Sequence, residues 1–489
     1  MSGPDMSSPR AKNLALVLLA LTQFVVVIDA SITNVALPSI GKALDISQDD
    51  LSWVVNSYTL VFGGFLLLGG RLADFFGRRR MFMTGMALFG AASLAGGFAQ
   101  SEEWLIIARA IQGLGAAIAS PAALSIVTTT FSEGSERNRA LGIWGAVAGA
   151  GGAAGVLLGG ILTQWAGWEW VLFVNVPIAA FVVWQAPKRL IESKAEEESE
   201  RTLDIPGAVS ITAGLALLVY TLVDAANIGW TSTETIIRGT AALALIGVFV
   251  VIELRTRKPL VPFSIFRNRT LRAANIVGIL TGMSLFSMFF LITLYLQQVL
   301  GQDALEAGLS YLPLAISIIL AAGVAGQLVT RIGFKPVLVT GLLFVAVALA
   351  WFNQISPDGS YLADVLGPSV LAGIGLGLSF VPVTIAAMSG TIPEEAGLAS
   401  GLINTSQQIG GALGLAILAS IANSSTNDAF SSGVTEKTVA LTQGFSDAFL
   451  VGACFALAGA ILAAVLISSK DSREHAEAAQ RGEVDTAAV

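Results

Sequence analysis

Two residues of opposite charge sit where charge is costly. Asp29 lies in a long apolar run, within Ile28-Asp29-Ala30-Ser31-Ile32-Thr33-Asn34-Val35-Ala36-Leu37-Pro38. Arg109 lies in another, within Arg109-Ala110-Ile111-Gln112-Gly113-Leu114-Gly115. A carboxylate deep in a bilayer costs roughly 2.5–3.5 kcal/mol to insert, so such a residue is a functional candidate by default. The chemistry open to it is reversible protonation. A nearby cation favours the ionised carboxylate and apolar surroundings favour the neutral one, the opposed pair a proton site needs. The plainer alternative is a static ion pair that locks two helices. The single histidine, His475, lies in the C-terminal tail, so a relay inside the apolar runs must use carboxylates.

A third candidate is a charged turn between two apolar runs, Gly69-Gly70-Arg71-Leu72-Ala73-Asp74-Phe75-Phe76-Gly77-Arg78-Arg79-Arg80. Gly77 lets the backbone turn without Cβ strain, and four arginines hold the turn on the cytoplasmic side. Asp74 is the one anion among them.

The elements that must position these residues follow from composition. Of 489 residues, 54% are hydrophobic and 12% charged, against about 25% charged in soluble domains. Mean hydropathy is +0.75. The chain therefore reads as a polytopic, all-α membrane protein. Fourteen spans are predicted: 13–37, 51–70, 81–99, 104–128, 139–162, 169–187, 205–224, 236–254, 272–298, 308–330, 335–352, 362–388, 399–423 and 446–467. Each is near the length that crosses ~30 Å of hydrocarbon as a helix. No cleaved signal peptide is expected; the first apolar run reads as a retained span. With both termini cytoplasmic, 23 of the 27 Lys and Arg lie inside. The exceptions are Lys42, Arg238 and Lys437 outside, and Arg109 within a span, so the positive-inside rule is obeyed.

The chain repeats itself. Gly70, Leu72 and Gly77 recur at an offset of 256 as Gly326, Leu328 and Gly333, with Thr330 in place of Asp74. Gly142, Gly151, Gly152 and Gly155 recur at an offset of 259 as Gly401, Gly410, Gly411 and Gly414. Two homologous halves account for both. Spans 1–6 then pair with spans 9–14, and spans 7–8 are an inserted hairpin. The expected organisation is a six-helix bundle over 1–187, linkers and inserted helices over 188–271, a second bundle over 272–467, and a cytoplasmic tail over 468–489. Glu192 to Arg201 reads as a solvated run without an obvious duty, Arg255 to Arg272 as a basic surface helix or strap at the cytoplasmic face, and Asn423 to Gly444 as a loop.

The pattern Gly-x-Leu-Ala-Asp-x-x-Gly-Arg-Arg resembles the signature loop between spans two and three of the major facilitator superfamily. Asp29 to Pro38, Arg109 to Gly115, Tyr295-Leu296-Gln297-Gln298 and the central hairpin resemble the fourteen-span drug:proton antiporter family. The resemblance implies the major facilitator fold, with two six-helix bundles plus a two-helix insertion. It implies that Asp29 and Arg109 serve proton coupling, on spans that line a central cavity. Leu37 and Trp104 end the two runs, which puts both residues ~8–12 Å below the outer face. It also places Asp74 near the start of span 13, around Ala396 to Ser400, with Arg78 free to reach Glu133 or Glu136. The family's Gly-Pro pair on span 5 is here Gly155-Val156, so a proline kink is missing. Relatives often carry arginine where this chain has Glu169.

Gly151, Gly155 and Gly159 stack every four residues on span 5, so a partner helix can approach closely. Span 9 carries Asn275, Gly278, Gly282, Phe286, Thr293 and Gln297 on one face at helical spacing, expected to look into the cavity. Span 13 adds Asn404, Thr405, Gln407 and Gln408, which could meet substrate or simply bond between helices. The expected cavity set is Phe24, Asn34, Tyr58, Gln112, Phe286, Phe290, Gln297, Asn404 and Gln408. With Met283, its aromatics would suit lipophilic ligands, cations included. Asp224, ending span 7, reads as an interfacial acid or a further cation site.

There is no Walker sequence, no HExxH, no Cys/His metal cluster and one cysteine, Cys454. No enzyme, metal or cofactor is expected, and the proton is the coupling ion. The expected function is proton-coupled export of lipophilic or amphipathic drugs by alternating access, at a bacterial cytoplasmic membrane. Expected partners are a small-molecule substrate and the lipid bilayer, with no nucleic acid, and the protein is expected to be a monomer. Export of one dedicated metabolite, antibiotic or siderophore is the alternative; a channel or intramembrane enzyme fits the duplicated loop poorly.

Overall fold

A computed structural model describes residues 8–46, 51, 53–132, 134–193, 204–256, 259–391 and 395–481. No strand occurs among them. The first half holds α1 (Pro9–Leu44), α2 (Trp53–Phe76), α3 (Arg78–Gly97), α4 (Glu102–Thr130), α5 (Ser135–Trp165), α6 (Trp170–Phe173) and α7 (Asn175–Arg189). A central hairpin follows, α8 (Ile205–Ile228) and α9 (Thr233–Arg255), then a 3-10 turn, Phe263–Arg267. The second half holds α10 (Arg269–Leu294), α11 (Ala304–Ser310), α12 (Leu312–Ile332), α13 (Phe334–Phe352), α14 (Leu366–Met388), α15 (Ala396–Ser431) and α16 (Lys437–Leu466). The chain then forms α17 (Ser469–Arg481). Single π-helical turns end α10 and precede α14.

Helix starts are written locally. Ser101, Asp204 and Asn268 each accept a backbone N–H of the first turn they precede, at 3.3, 2.9 and 3.0 Å, which satisfies a donor the helix cannot. Among the described residues, twelve helices are long and apolar enough to cross a membrane, or thirteen with the bent α5. The other predicted span, α3, is helical but falls short of that apolarity; it opens on three arginines and is rich in glycine and alanine.

The sequence repeat reappears as a repeat of packing. In the first half α1 packs on α5, and α4 on both α2 and α3. In the second, α10 packs on α15, and α14 on both α12 and α13. The halves meet along two seams related by the same correspondence, α5 with α12 and α2 with α15. The hairpin breaks the symmetry, because α8 lies against both α2 and α15.

Several expectations change. The stretch expected as a loop over 423–444 is mostly helix: α15 runs to Ser431 and α16 begins at Lys437. Its polar residues sit on the ends of these two helices, and Thr426 and Thr442 bond back to the Ala422 and Thr438 carbonyls at 2.7 Å each. Glu192 has a duty after all. It accepts the backbone N–H groups of Arg79 and Arg80 at 3.1 and 3.2 Å and pairs with both side chains, capping α3. The rest of that run, 194–203, lies outside the described residues. The strap after α9 is anchored from within. Glu253 is 3% exposed and accepts Leu260 and Val261 N–H at 3.2 and 2.9 Å, while Leu260, Val261 and Ile265 are buried. Although Val156 replaces the family's proline, α5 bends by 43° between Gly152 and Ala154. A glycine-rich run supplies the weak point there.

Close helix approach depends on absent side chains. A Cβ on Gly410 of α15 would collide with the Ile279 carbonyl of α10. A Cβ on Gly247 of α9 would meet nothing within 4 Å. We expect Gly410→Val to lower the thermal unfolding midpoint of detergent-purified protein sharply, with a cost of about 1–3 kcal/mol typical of overpacking. Gly247→Ala should leave it equal or slightly raised, since alanine is the better helix former. Equal midpoints for the two variants would show that α10 and α15 have room to separate.

Candidate functional site

Asp29 and Arg109 meet, and the pair is wholly enclosed. Arg109 Nη1 lies 2.5 Å from Asp29 Oδ2, and both residues are 0% exposed. The other carboxylate oxygen accepts from Gln112 Nε2 at 2.6 Å and Asn175 Nδ2 at 2.7 Å. Both amides also donate to Ser93 Oγ, at 2.6 and 3.1 Å. Arg109 donates to Gln112 Oε1 at 2.6 Å and, through Nε, to the Val54 carbonyl at 3.1 Å. Its guanidinium lies 4.5 Å from the centre of the Tyr58 ring, whose hydroxyl donates to the Val26 carbonyl at 3.3 Å. Five helices, α1 to α4 and α7, thus contribute to one polar centre. Arg109 Nη2 and Asn175 Oδ1 have no hydrogen-bond partner among the described residues.

A buried ion pair offsets its desolvation only when most of its remaining donors and acceptors are met. Here the Asp29 carboxylate has three charged or amide donors, so its ionised form is fully solvated by protein. The pair and its partners tie together the relative positions of five helices.

This placement corrects the expected cavity set. Tyr58 and Gln112 belong to the buried centre, at 2% and 1% exposure, and Asp29 and Arg109 do not face a cavity. The polar face of α10 is in part a helix seam, although Phe286 on it is 40% exposed. Asn275 accepts from Ser406 of α15 at 2.9 Å, Gly278 lies over Ile403 and Gln407, and Phe286 lies against Gly411. Small residues at helical spacing look the same whether they line water or receive a neighbour. Asn34 is exposed and bonds the Ala30 carbonyl; Asn404 is half-buried and bonds that of Ser400. Gln297 and Gln408 are half-buried, and Phe290 is 39% exposed. Gly151, Gly155 and Gly159 all face α1, against Val27, Ser31 and the Ile32 carbonyl. Phe24 lines a separate cavity of about 830 Å³ between α5 and α12. Asp224 is an ion-pair partner of Arg238 at 2.6 Å rather than a free cation site. Asn175 and Ser93 were not singled out from sequence. Only their polarity in apolar runs marks them.

The second constellation joins the halves at the basic end. Asp74, 1% exposed, accepts Gly397 N–H at 3.1 Å and Leu398 N–H at 3.0 Å, and pairs with Arg78 at 3.0 Å. Glu395, at the N-cap of α15, makes no side-chain cap bond. Asp74 supplies that cap from another helix, where the free N–H groups and the dipole favour an anion. Gly70 is what allows this approach, since a Cβ there would strike the Gly397 carbonyl. Gly77 turns the chain into α3 with φ of +103°. Arg78 makes its contact with Asp74, not Glu136. Glu136 is taken by Lys12 at 2.8 Å, and Glu133 lies outside the described residues. The pseudo-symmetric seam carries a neutral version, with Asn138 Nδ2 donating to Thr330 Oγ1 at 3.1 Å. His475 of α17 sits 3.0 Å from Asn138 Oδ1, and Gln480 donates to the Thr330 and Arg331 carbonyls at 3.2 and 2.9 Å.

Comparison with known proteins agrees with this architecture. The family model of the Major Facilitator Superfamily matches residues 19–415. The cephamycin export protein CmcT of Amycolatopsis lactamdurans is 41% identical over 94% of this chain and 93% of its own. The puromycin resistance protein pur8 of Streptomyces alboniger is 36% identical over 96% of this chain and 93% of its own. The crystal structure of the human organic anion transporter MFSD10 superposes with a TM-score of 0.65, covering 94% of this chain and 100% of that one at 15% identity. At that identity the likeness is one of fold.

Two predictions follow from the geometry. Arg109→Ala strands a buried carboxylate, at a cost of about 3–5 kcal/mol, and should collapse the yield of monodisperse protein. The double variant Asp29→Asn/Arg109→Ala should recover a large part of that yield. A double variant as poor as the single would separate the two residues energetically. For the seam, Asp74→Asn keeps the size, removes a charge worth ~0.3–2 kcal/mol at a helix start and takes a counter-charge from Arg78, itself 3% exposed. Ala396 is 3% exposed. A single Cys there, in a Cys454→Ala background, should be labelled several-fold faster by a soluble thiol reagent once Asp74 is Asn. Equal rates would show that Asp74 does not hold α15.

Proposed function

The chain belongs to the major facilitator superfamily, and from that premise we propose that it is a proton-coupled exporter of lipophilic or amphipathic compounds, cations included. The observation that carries the proton is the centre around Asp29, an acid held by three donors from other helices. A proton entering there loosens contacts between α1, α4 and α7. The observation that suits alternating access is the modest contact at Asp74. Two states that interconvert in every cycle cannot differ by much, and a borrowed helix cap is worth little enough to break.

The reading places the protein in a bacterial cytoplasmic membrane with both termini inside, supported by the distribution of Lys and Arg. It involves no catalytic step and no cofactor, and the working unit is a monomer. Relatives named for cephamycin export and puromycin resistance favour antibiotics as cargo. They also favour a second reading, export of one self-made metabolite, which differs in breadth rather than mechanism.

A susceptibility panel in an efflux-deficient host tests this. The wild-type chain should raise tolerance to several amphipathic drugs, or to one compound under the second reading. Asp29→Asn leaves the buried Arg109 without its counter-charge and should lower the amount of protein; per molecule present in the membrane it should abolish the effect. In proteoliposomes, substrate added on one side should move protons in wild type and not in Asp29→Asn. Undiminished gradient-driven export by the variant would remove Asp29 from the coupling step.

A further inference from the structure

The two seams between the halves are equivalent in the repeat but not in their covering. Along α2 and α15 the hairpin fills the outer face. Val219 and Leu222 of α8 cluster with Ala412, and Gly63 and Gly64 lie against Val219 and Ala216. Along α5 and α12 no inserted helix packs, and a cleft of about 830 Å³ remains. That volume lies within the range of sites for small organic ligands, ~300–1,000 Å³.

The cleft faces away from the protein centre. Gly145 of α5 lies against Phe380 and Val381 of α14, the largely buried helix of the second half. Ile143 and Val147, which line the cleft, lie two residues to either side of Gly145 and so on the opposite face of α5. Ile143 is 37% exposed and Ile319 49%, and a Cβ on Gly323 would meet nothing within 4 Å. The opening is therefore toward lipid.

Its lining is split by charge. Phe24, Ile143 and Ile319 make an apolar length, while Arg139 and Arg331 stand at the basic end with Gln327 between. From Arg139 to Ala150 the cleft follows α5 for ~17 Å. Neighbouring cations are spoken for. Lys12 pairs with Glu136, Arg78 with Asp74, and Arg79 and Arg80 with Glu192. Neither Arg139 nor Arg331 has a carboxylate partner among the described residues. A pair of forked guanidinium groups beside an apolar length matches a phosphate joined to an acyl chain.

We propose that this cleft binds an anionic phospholipid of the inner leaflet, its phosphate held by Arg139 and Arg331 and one acyl chain lying against Phe24, Ile143 and Ile319. The leaflet rests on the orientation proposed above; the site itself does not. One arginine belongs to each half, so the bound lipid fastens the α5/α12 seam at the basic end, as α8 fastens the other seam. A ligand that contacts both halves in one arrangement favours that arrangement.

The test uses the full chain purified in a neutral detergent, with thermal midpoint and native mass spectrometry as readouts. Probes are phosphatidylglycerol, phosphatidylcholine and inorganic phosphate. Phosphatidylglycerol should raise the midpoint and remain as an adduct. Arg139→Gln/Arg331→Gln should weaken that response ~30-fold, the factor for two basic contacts. Gly323→Leu keeps both arginines and fills open space, so it should fold normally, yet it should weaken retention by narrowing the cleft. An unchanged phosphatidylglycerol response in either variant would overturn the proposal. So would an equal response to phosphatidylcholine, which marks general lipid contact, or to inorganic phosphate, which marks a simple anion site. Transport is not measured, so the outcome is independent of the export reading.

Discussion

A carboxylate and a guanidinium that share a dry interior must be solvated by the protein or not be there. Asp29 and Arg109 meet that demand by recruiting Gln112, Asn175, Ser93, the Val54 carbonyl and the Tyr58 ring. The recruits come from α2, α3, α4 and α7, so the first half is built around one charge pair. The cost of leaving either partner alone, several kcal/mol, is what fixes the register of these helices.

Between the halves the scale of interaction is smaller. The bundles approach through glycines and meet through a handful of hydrogen bonds at the basic end. Asp74 completes the first turn of α15, and Asn138 with Thr330 forms the neutral counterpart. Strong solvation within a bundle and weak capping between bundles is a division of labour suited to rigid bodies that move against each other. The tail adds to the neutral side. Through His475 and Gln480, α17 touches α5 and the end of α12 at once.

The inserted hairpin gains a structural meaning from the repeat. A twofold arrangement would treat both seams alike, yet α8 covers only one. The uncovered seam keeps an apolar cleft and two guanidinium groups without a carboxylate partner among the described residues. The asymmetry of the chain is thus also an asymmetry in what the bilayer can reach.

Much of this was legible in the residues themselves. Hydropathy set the helices, because backbone groups in hydrocarbon must bond internally. The repeat offset set the pairing of the halves. The rarity of Asp29, Asp74 and Arg109 marked them, because charge in lipid persists only where it is used or paired. What sequence left open was direction. The same alternation of glycine, asparagine and phenylalanine on α10 serves a cavity or a seam, and only the neighbour α15 decides. Tyr58 and Gln112 are polar residues on apolar helices under any reading. That they face Arg109 rather than a substrate depends on helix rotation, fixed by contacts far apart in the chain. Glu192 capping α3, Asp74 capping α15 and the cleft beside Arg139 and Arg331 arise the same way. Each joins residues more than a hundred positions apart, and local periodicity carries no information over that distance.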